Sequence, residues 1–195
     1  MPVIEVHLLE GYSAEEHRRL GEALTDATRL VVPAPAEAIT VMFHQMQSDH
    51  YYRGRSSKTP AAALPDPCTL VHKFLSCLGD RDLKAAEEYI AAEFSMYFPG
   101  AEPMHSLQSL IEWSAPRYKS ITKTFDSTEA FADENGNTIV YCRGTLSGVW
   151  PDNNTFKNIR FIDRFEIVAG KITRQEVWND LAESRSVTQQ VTRQA

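Results

Sequence analysis

In the stretch NIRFIDRFEIV (residues 158–168), alternate residues Ile159, Phe161, Asp163, Phe165 and Ile167 share one face of a strand. Arg160, Ile162, Arg164 and Glu166 share the other. Asp163 is thus a single carboxylate on an otherwise apolar face. Burying it costs several kcal/mol unless it is paired or protonated. Two readings follow: an acid or base of raised pKa set for proton transfer, or a structural role as an ion pair or a cap to backbone amides. Tyr97, in FSMYF, is the candidate catalytic partner, because a tyrosine and a protonated acid can together donate to an enolate oxygen. In KITRQEVWNDL the phase containing Ile172 turns Arg174, Glu176, Trp178 and Asp180 one way. That makes Trp178 a candidate pocket floor, with Asp180 at its rim. Trp113, Tyr118, Tyr141 and Trp150 are candidate pocket walls, and His105, in GAEPMHS, is a candidate at the mouth. For each aromatic, plain core packing is the competing reading.

The bulk properties narrow the chemistry. The chain has 195 residues, a formal charge of −6 and 43% hydrophobic residues. An acidic chain lacks the clustered Lys and Arg of a nucleic-acid grip, so no nucleic acid is expected as a partner. No apolar run approaches the roughly 20 residues of a membrane span. The N-terminus lacks a basic region followed by an apolar core, so no secretory signal is expected. The three cysteines, Cys68, Cys77 and Cys142, have no CxxC spacing, and reduced thiols in a cytoplasmic protein are expected. The six histidines form no HxxxH or HExxH pair, so no metal site is expected. No organic cofactor is expected either.

The elements that must hold these residues fall into two groups. SKTPAAALPDP (57–67) interrupts both helical and strand periodicity and reads as a linker. Before it, residues 1–56 read strand, helix, strand. VIEVHLL alternates, Ser13 and Glu16 form a capping box, and Leu20, Ala23, Leu24 and Ala27 make a helical stripe that Leu30 and Val31 continue. AITVMFHQM is the second strand, so a parallel crossover is predicted. Such a unit has little core, so association with copies or with the rest of the chain is expected. After the linker, residues 68–185 read as helices over PCTLVHKFLSCLGDRD, LKAAEEYIAAEF and SLQSLIEWSAPRY, with FSMYF a strand before the third. Four long strands follow, joined at ENGN, PDNN and AGK. The fold class is α+β: a parallel βαβ unit, then a cone of helices against a curved antiparallel sheet. Residues 186–195 read as a flexible tail.

Residues 1–56 resemble the 4-oxalocrotonate tautomerase family, through Pro2 after the initiating Met, IEVHLLEG, the capped helix and ITVMFHQM. The resemblance implies that Met1 is removed and that the Pro2 amine acts as base or nucleophile. An α-amine titrates near 8, and burial or neighbouring cations lower that value. Two arginines of the family are replaced, by Tyr12 and Thr40, which removes the bidentate partners of a dicarboxylate substrate. Tyr51 keeps the family's aromatic wall, and Arg53 or Arg55 is a candidate substitute cation. Residues 68–185 resemble the nuclear transport factor 2-like superfamily in its SnoaL-like polyketide-cyclase branch, through the helices before the sheet, FSMYFPG and IRFIDRFEIVAGKITRQEVWND. That fold hosts isomerases, cyclases, hydrolases and binding modules. Related cyclases use an Asp–His pair, and no histidine occupies the matching strand positions here.

The expected function is proton transfer on a hydrophobic or aromatic carbonyl compound in the cone, with the first domain aiding assembly as a homo-oligomer. A non-catalytic ligand-binding or oligomerisation protein, and tautomerase chemistry carried by Pro2 alone, are the alternatives.

Overall fold

The structure, a computed structural model, describes residues 1–185. The predicted tail at 186–195 lies outside the described residues. The chain divides into two units, one spanning Met1–Ala63 and one beginning at Leu64.

In the first unit, strand β1 (Val3–Leu9) pairs in parallel with β2 (Thr40–Met46), Val3 opposite Thr40 through Leu9 opposite Met46. Helix α1 (Ala14–Arg29) connects them. Its start is set by the capping box: Ser13 Oγ accepts from Glu16 N, and Glu16 accepts from Ser13 N at 2.6 Å. The helix ends at Arg29, earlier than its apolar stripe suggests. Leu30 and Val31 are exposed, because the chain must turn toward Pro33 and cannot stay helical. A short hairpin, β3 (Tyr52–Arg53) with β4 (Ser56–Ser57), closes the unit. Ile39 is its only buried hydrophobic residue, so its core is thin.

The second unit opens with α2 (Pro67–Gly79), which has Pro67 in its first turn and Asp66 accepting from Thr69 N. Helix α3 spans only Leu83–Glu87. The sequence reads as helical through Phe94, yet strand β5 already runs over Ile90–Tyr97. Its pairing with the last strand overrides the helical preference of its alanines. Helix α4 (Leu107–Ser114) is capped by Ser106. Then come β6 (Ser120–Ala132), β7 (Thr138–Val149), β8 (Thr155–Val168) and β9 (Lys171–Asn179). The sheet order is β5-β9-β8-β7-β6, antiparallel except for β5 with β9.

The helices cover one face of this sheet. Phe74 of α2 meets Phe94 and Phe165 edge-on, with centroids 5.9 and 6.1 Å away. Strand β7 carries Gly144 opposite Phe125 and Gly148 opposite Ile121 of β6. A Cβ at either position would run into the backbone carbonyl of Thr124 or Ser120 on β6. Only glycine lets the two strands approach this closely.

Candidate functional site in the second unit

The site is assembled on the sheet face that the helices cover. Asp163 sits mid-strand in β8, opposite Cys142 of β7 and Val177 of β9. Its neighbours along that face, Phe161 and Phe165, are buried, as alternation requires. The carboxylate itself is wholly buried. Lys123, on β6 opposite Leu146, reaches across and donates from Nζ to Asp163 Oδ2. The ammonium also lies over the Phe161 ring, 4.4 Å from its centroid. Asp163 Oδ1 has no hydrogen-bond partner among the described residues. Burial pushes the Asp163 carboxyl above the ordinary carboxylate range; the Lys123 charge and hydrogen bond, and then the nearby Gln175 side chain, which falls short of hydrogen-bond geometry, oppose that push without cancelling it.

These groups line a cavity of about 540 Å³. Leu75 and Leu78 of α2, Leu110 of α4, and Phe125, Leu146 and Val177 of the sheet make its apolar wall. Trp113 and Tyr118 line it too. Two further buried polar atoms of lining residues lack partners among the described residues: Trp113 Nε1, a donor, and Gln175 Oε1, an acceptor. Burial raises the Tyr118 phenol, partly opposed by a hydrogen bond to Ser114 and by Arg81 and Arg117, so it stays protonated at neutral pH. The arrangement offers a largely apolar chamber that holds the buried Lys123–Asp163 pair and a few unused hydrogen-bonding atoms, with Asp80, Arg81 and Lys119 also on its lining.

Several residues singled out by sequence lie elsewhere. Trp178 is 52% exposed, on the opposite face of the sheet. The reason is a bulge: Ile167 pairs with Ile172 but Glu166 with Arg174, so Thr173 is extra. The phase of β9 flips after Ile172. Gln175 and Val177 therefore turn inward, while Arg174, Glu176 and Trp178 turn outward. Asp180 is held by Arg160 at 2.7 Å, away from the cavity lining. Tyr97 pairs in register with Glu176, and Arg174 stacks 4.2 Å from its ring centroid, so it does not converge with Asp163. Tyr141 stacks on Phe131, and Trp150 packs on Phe156 within the core. Neither Tyr141, Trp150 nor the exposed His105 lines the cavity.

Three lining residues, Lys123, Gln175 and His72, lie outside the candidates that the sequence offers. In ITKTF, Lys123 is the one charge between Ile121 and Phe125 on an alternating apolar face. The same pattern marks Asp163. Gln175 is hidden by the bulge. His72 reaches the cavity from α2, bonded to Thr128 Oγ1 at 2.7 Å and stacked on Phe125.

In the first unit, Pro2 lies just before β1, and its carbonyl accepts from Thr40 N at 3.0 Å. Arg53 donates to the Tyr51 hydroxyl at 3.0 Å. Tyr12 meets the His17 ring edge-on at 6.5 Å. Among the described residues, no group of His, Cys, Asp and Glu is arranged to hold a metal ion, and no helix is long and apolar enough to cross a membrane.

Comparison with known proteins follows the same division. Residues 2–60 match the family model described as tautomerase enzyme, and residues 71–175 match the SnoaL-like domain model. A probable tautomerase of Halalkalibacterium halodurans is 41% identical over 51 residues, covering 26% of this chain and 84% of the relative. A 2-hydroxymuconate tautomerase of Bacillus subtilis is 39% identical over 51 residues, covering 26% of this chain and 82% of the relative. Among solved structures, an NTF2-like protein of unknown function from Burkholderia pseudomallei superposes with a TM-score of 0.50 at 14% identity, over 60% of this chain and 92% of that one. That likeness concerns the fold alone.

Proposed function

We propose, for a chain that belongs to the SnoaL-like domain family over residues 71–175 and to the tautomerase family over residues 2–60, a proton transfer carried out in the second unit's cavity. The protein is an enzyme of isomerase or cyclase type. Its substrate, in this reading, is a hydrophobic or aromatic carbonyl compound. The observation that carries the reading is the Lys123–Asp163 pair on the lining of a largely apolar cavity: a wholly buried carboxylate with one oxygen that has no hydrogen-bond partner among the described residues. Asp163 Oδ1 takes a proton from the carbon next to the carbonyl. The Lys123 ammonium and the Trp113 indole N–H stabilise the oxygen as it gains negative charge. Lys123 thus takes the role that sequence had suggested for Tyr97. Return of the proton to a different carbon isomerises the substrate; attack of the enolate on a second carbonyl cyclises it.

The test is exchange of the α-protons of 4-phenylbutan-2-one in deuterated water, followed by NMR. Exchange is expected with the parent protein and is expected to fall by about 10²–10⁴ in Asp163→Asn, which keeps shape and removes the base. Equal exchange by both proteins would remove Asp163 from the mechanism.

A second reading concerns Pro2, which the tautomerase match includes as its first residue. Its nitrogen becomes a secondary amine only when Met1 is gone. An intact mass still including Met1 would end that reading. Homo-oligomer assembly is proposed for both units, supported by apolar side chains left exposed on their sheets: Val3 and Met42 in the first, Phe131, Ile162 and Trp178 in the second.

A further inference from the structure

The Lys123–Asp163 pair has a use beyond non-covalent proton transfer. We infer that Lys123 is a nucleophile that captures aldehydes and ketones as a covalent iminium in the cavity, with Asp163 moving the protons. The inference rests on the proposed function for the class of ligand, and on the site's own geometry for the chemistry. Lys123 is a half-buried lining residue of the cavity, and its Nζ lies over the Phe161 ring. Its one ion-pair partner among the described residues is a carboxylate that is fully buried and half unsatisfied. Burial holds the Asp163 carboxyl above its ordinary range, so it accepts a proton more readily than an exposed carboxylate does.

The steps balance without an outside reagent. One proton passes from Lys123 Nζ to Asp163 Oδ2, leaving a neutral amine beside a carboxylic acid. The amine's lone pair forms the C–N bond while the C=O π bond breaks, and Asp163 returns its proton to the carbinolamine oxygen. A second proton leaves nitrogen through Asp163 to that oxygen, the C–O bond breaks, and water departs. The net change is ammonium plus carbonyl to iminium plus water, with no oxidation or reduction. The charges held by the site are the same before and after, one positive nitrogen beside one carboxylate. The covalent state therefore imposes no new charge burial, which is the usual penalty at such a depth. An iminium also acidifies the neighbouring carbon, so capture feeds the proposed proton transfer.

The experiment is reductive trapping of the full chain with 4-phenylbutan-2-one and cyanoborohydride at neutral pH, followed by peptide mass mapping. Reduced adduct is expected at Lys123 at about tenfold or more the occupancy of the exposed Lys73 and Lys157, because the cavity concentrates and orients the ketone. Lys123→Arg, which keeps the ion pair, is expected to lose that adduct, and Asp163→Asn to lower it about tenfold. Labelling at Lys123 no greater than at the exposed lysines, or adduct confined to the Pro2 nitrogen, overturns the inference. If Lys123→Arg fails to fold, the mapping of the parent protein decides alone. Deuterium exchange that depends on Asp163 without any Lys123 adduct would leave the proposed function standing and remove only the covalent step.

Discussion

Asp163 is ionised in the site only against the resistance of its surroundings, and this has a sign that can be checked. Its folded-state pKa is raised above the unfolded value of about 4 by burial. The folded form therefore binds the proton more readily than the unfolded chain. The associated stability is fully present below about pH 4 and is lost as pH rises through the folded pKa. Asp163→Asn imitates the protonated state at every pH. Its thermal midpoint is accordingly expected to gain on the parent's as pH rises from about 4 to 8, measured by circular dichroism at matched ionic strength. A gap that narrows over that interval would contradict the raised pKa. Under the proposed function, activity is expected to run the other way, growing with pH as Asp163 ionises, so the state proposed to take up the substrate's proton is the one that stabilises the fold least. At this scale the sequence was half legible. Alternation exposed Asp163, and the same rule applied to ITKTF picks out Lys123. That the two side chains meet could not be read, because forty positions separate them in the chain.

The strands that carry the pair depend on irregularities. Gly144 stands in register between Phe125 and Phe161, both of which line the cavity. A methyl group there would strike the Thr124 carbonyl and push β6, with Lys123, away from β8. Gly144→Ala is expected to lower stability by about 1–3 kcal/mol in denaturant titrations, and to reduce exchange activity further than that loss explains. An alanine variant with parent-like stability would mean that β6 yields freely. Bulges also explain where sequence reasoning ran out among the elements. The capping box at Ser13 and the turns at ENGN and AGK have local signals, and those elements are found where the sequence puts them. The extra residue at Thr173 has no such signal. It is fixed by the pairing of β9 with β8, and it exchanged Trp178 for Gln175 on the cavity face. The alanine-rich start of β5 likewise became strand through a distant partner.

At the scale of the molecule, the two units differ in how much they bury. The first has a single buried hydrophobic residue and leaves Val3 and Met42 exposed on its sheet. A two-stranded sheet with one helix is too small a core to persist alone. Met42→Glu in the full chain is expected to lower the oligomer mass measured by sedimentation, since like charges would then face one another across copies. A parent that sediments as a monomer would end the proposal of assembly, and an oligomer mass unchanged by Met42→Glu would move it to the second unit. The division into a βαβ unit and a cone was legible because periodicity changes from one side of SKTPAAALPDP to the other. The proposed assembly was not, because exposed apolar side chains such as Val3 and Met42 do not name a partner.

Cys142 occupies the rung beside Asp163, with no accessible surface, and burial together with that carboxylate pushes its thiol up to about 12. At neutral pH it is almost never a thiolate, and alkylating reagents cannot reach it. The protein thereby carries its own clock for breathing of the sheet. Iodoacetamide should modify Cys142 far more slowly than the half-buried Cys68 and Cys77, at a rate set by opening of the interior, and a ligand that fills the chamber should slow the clock further.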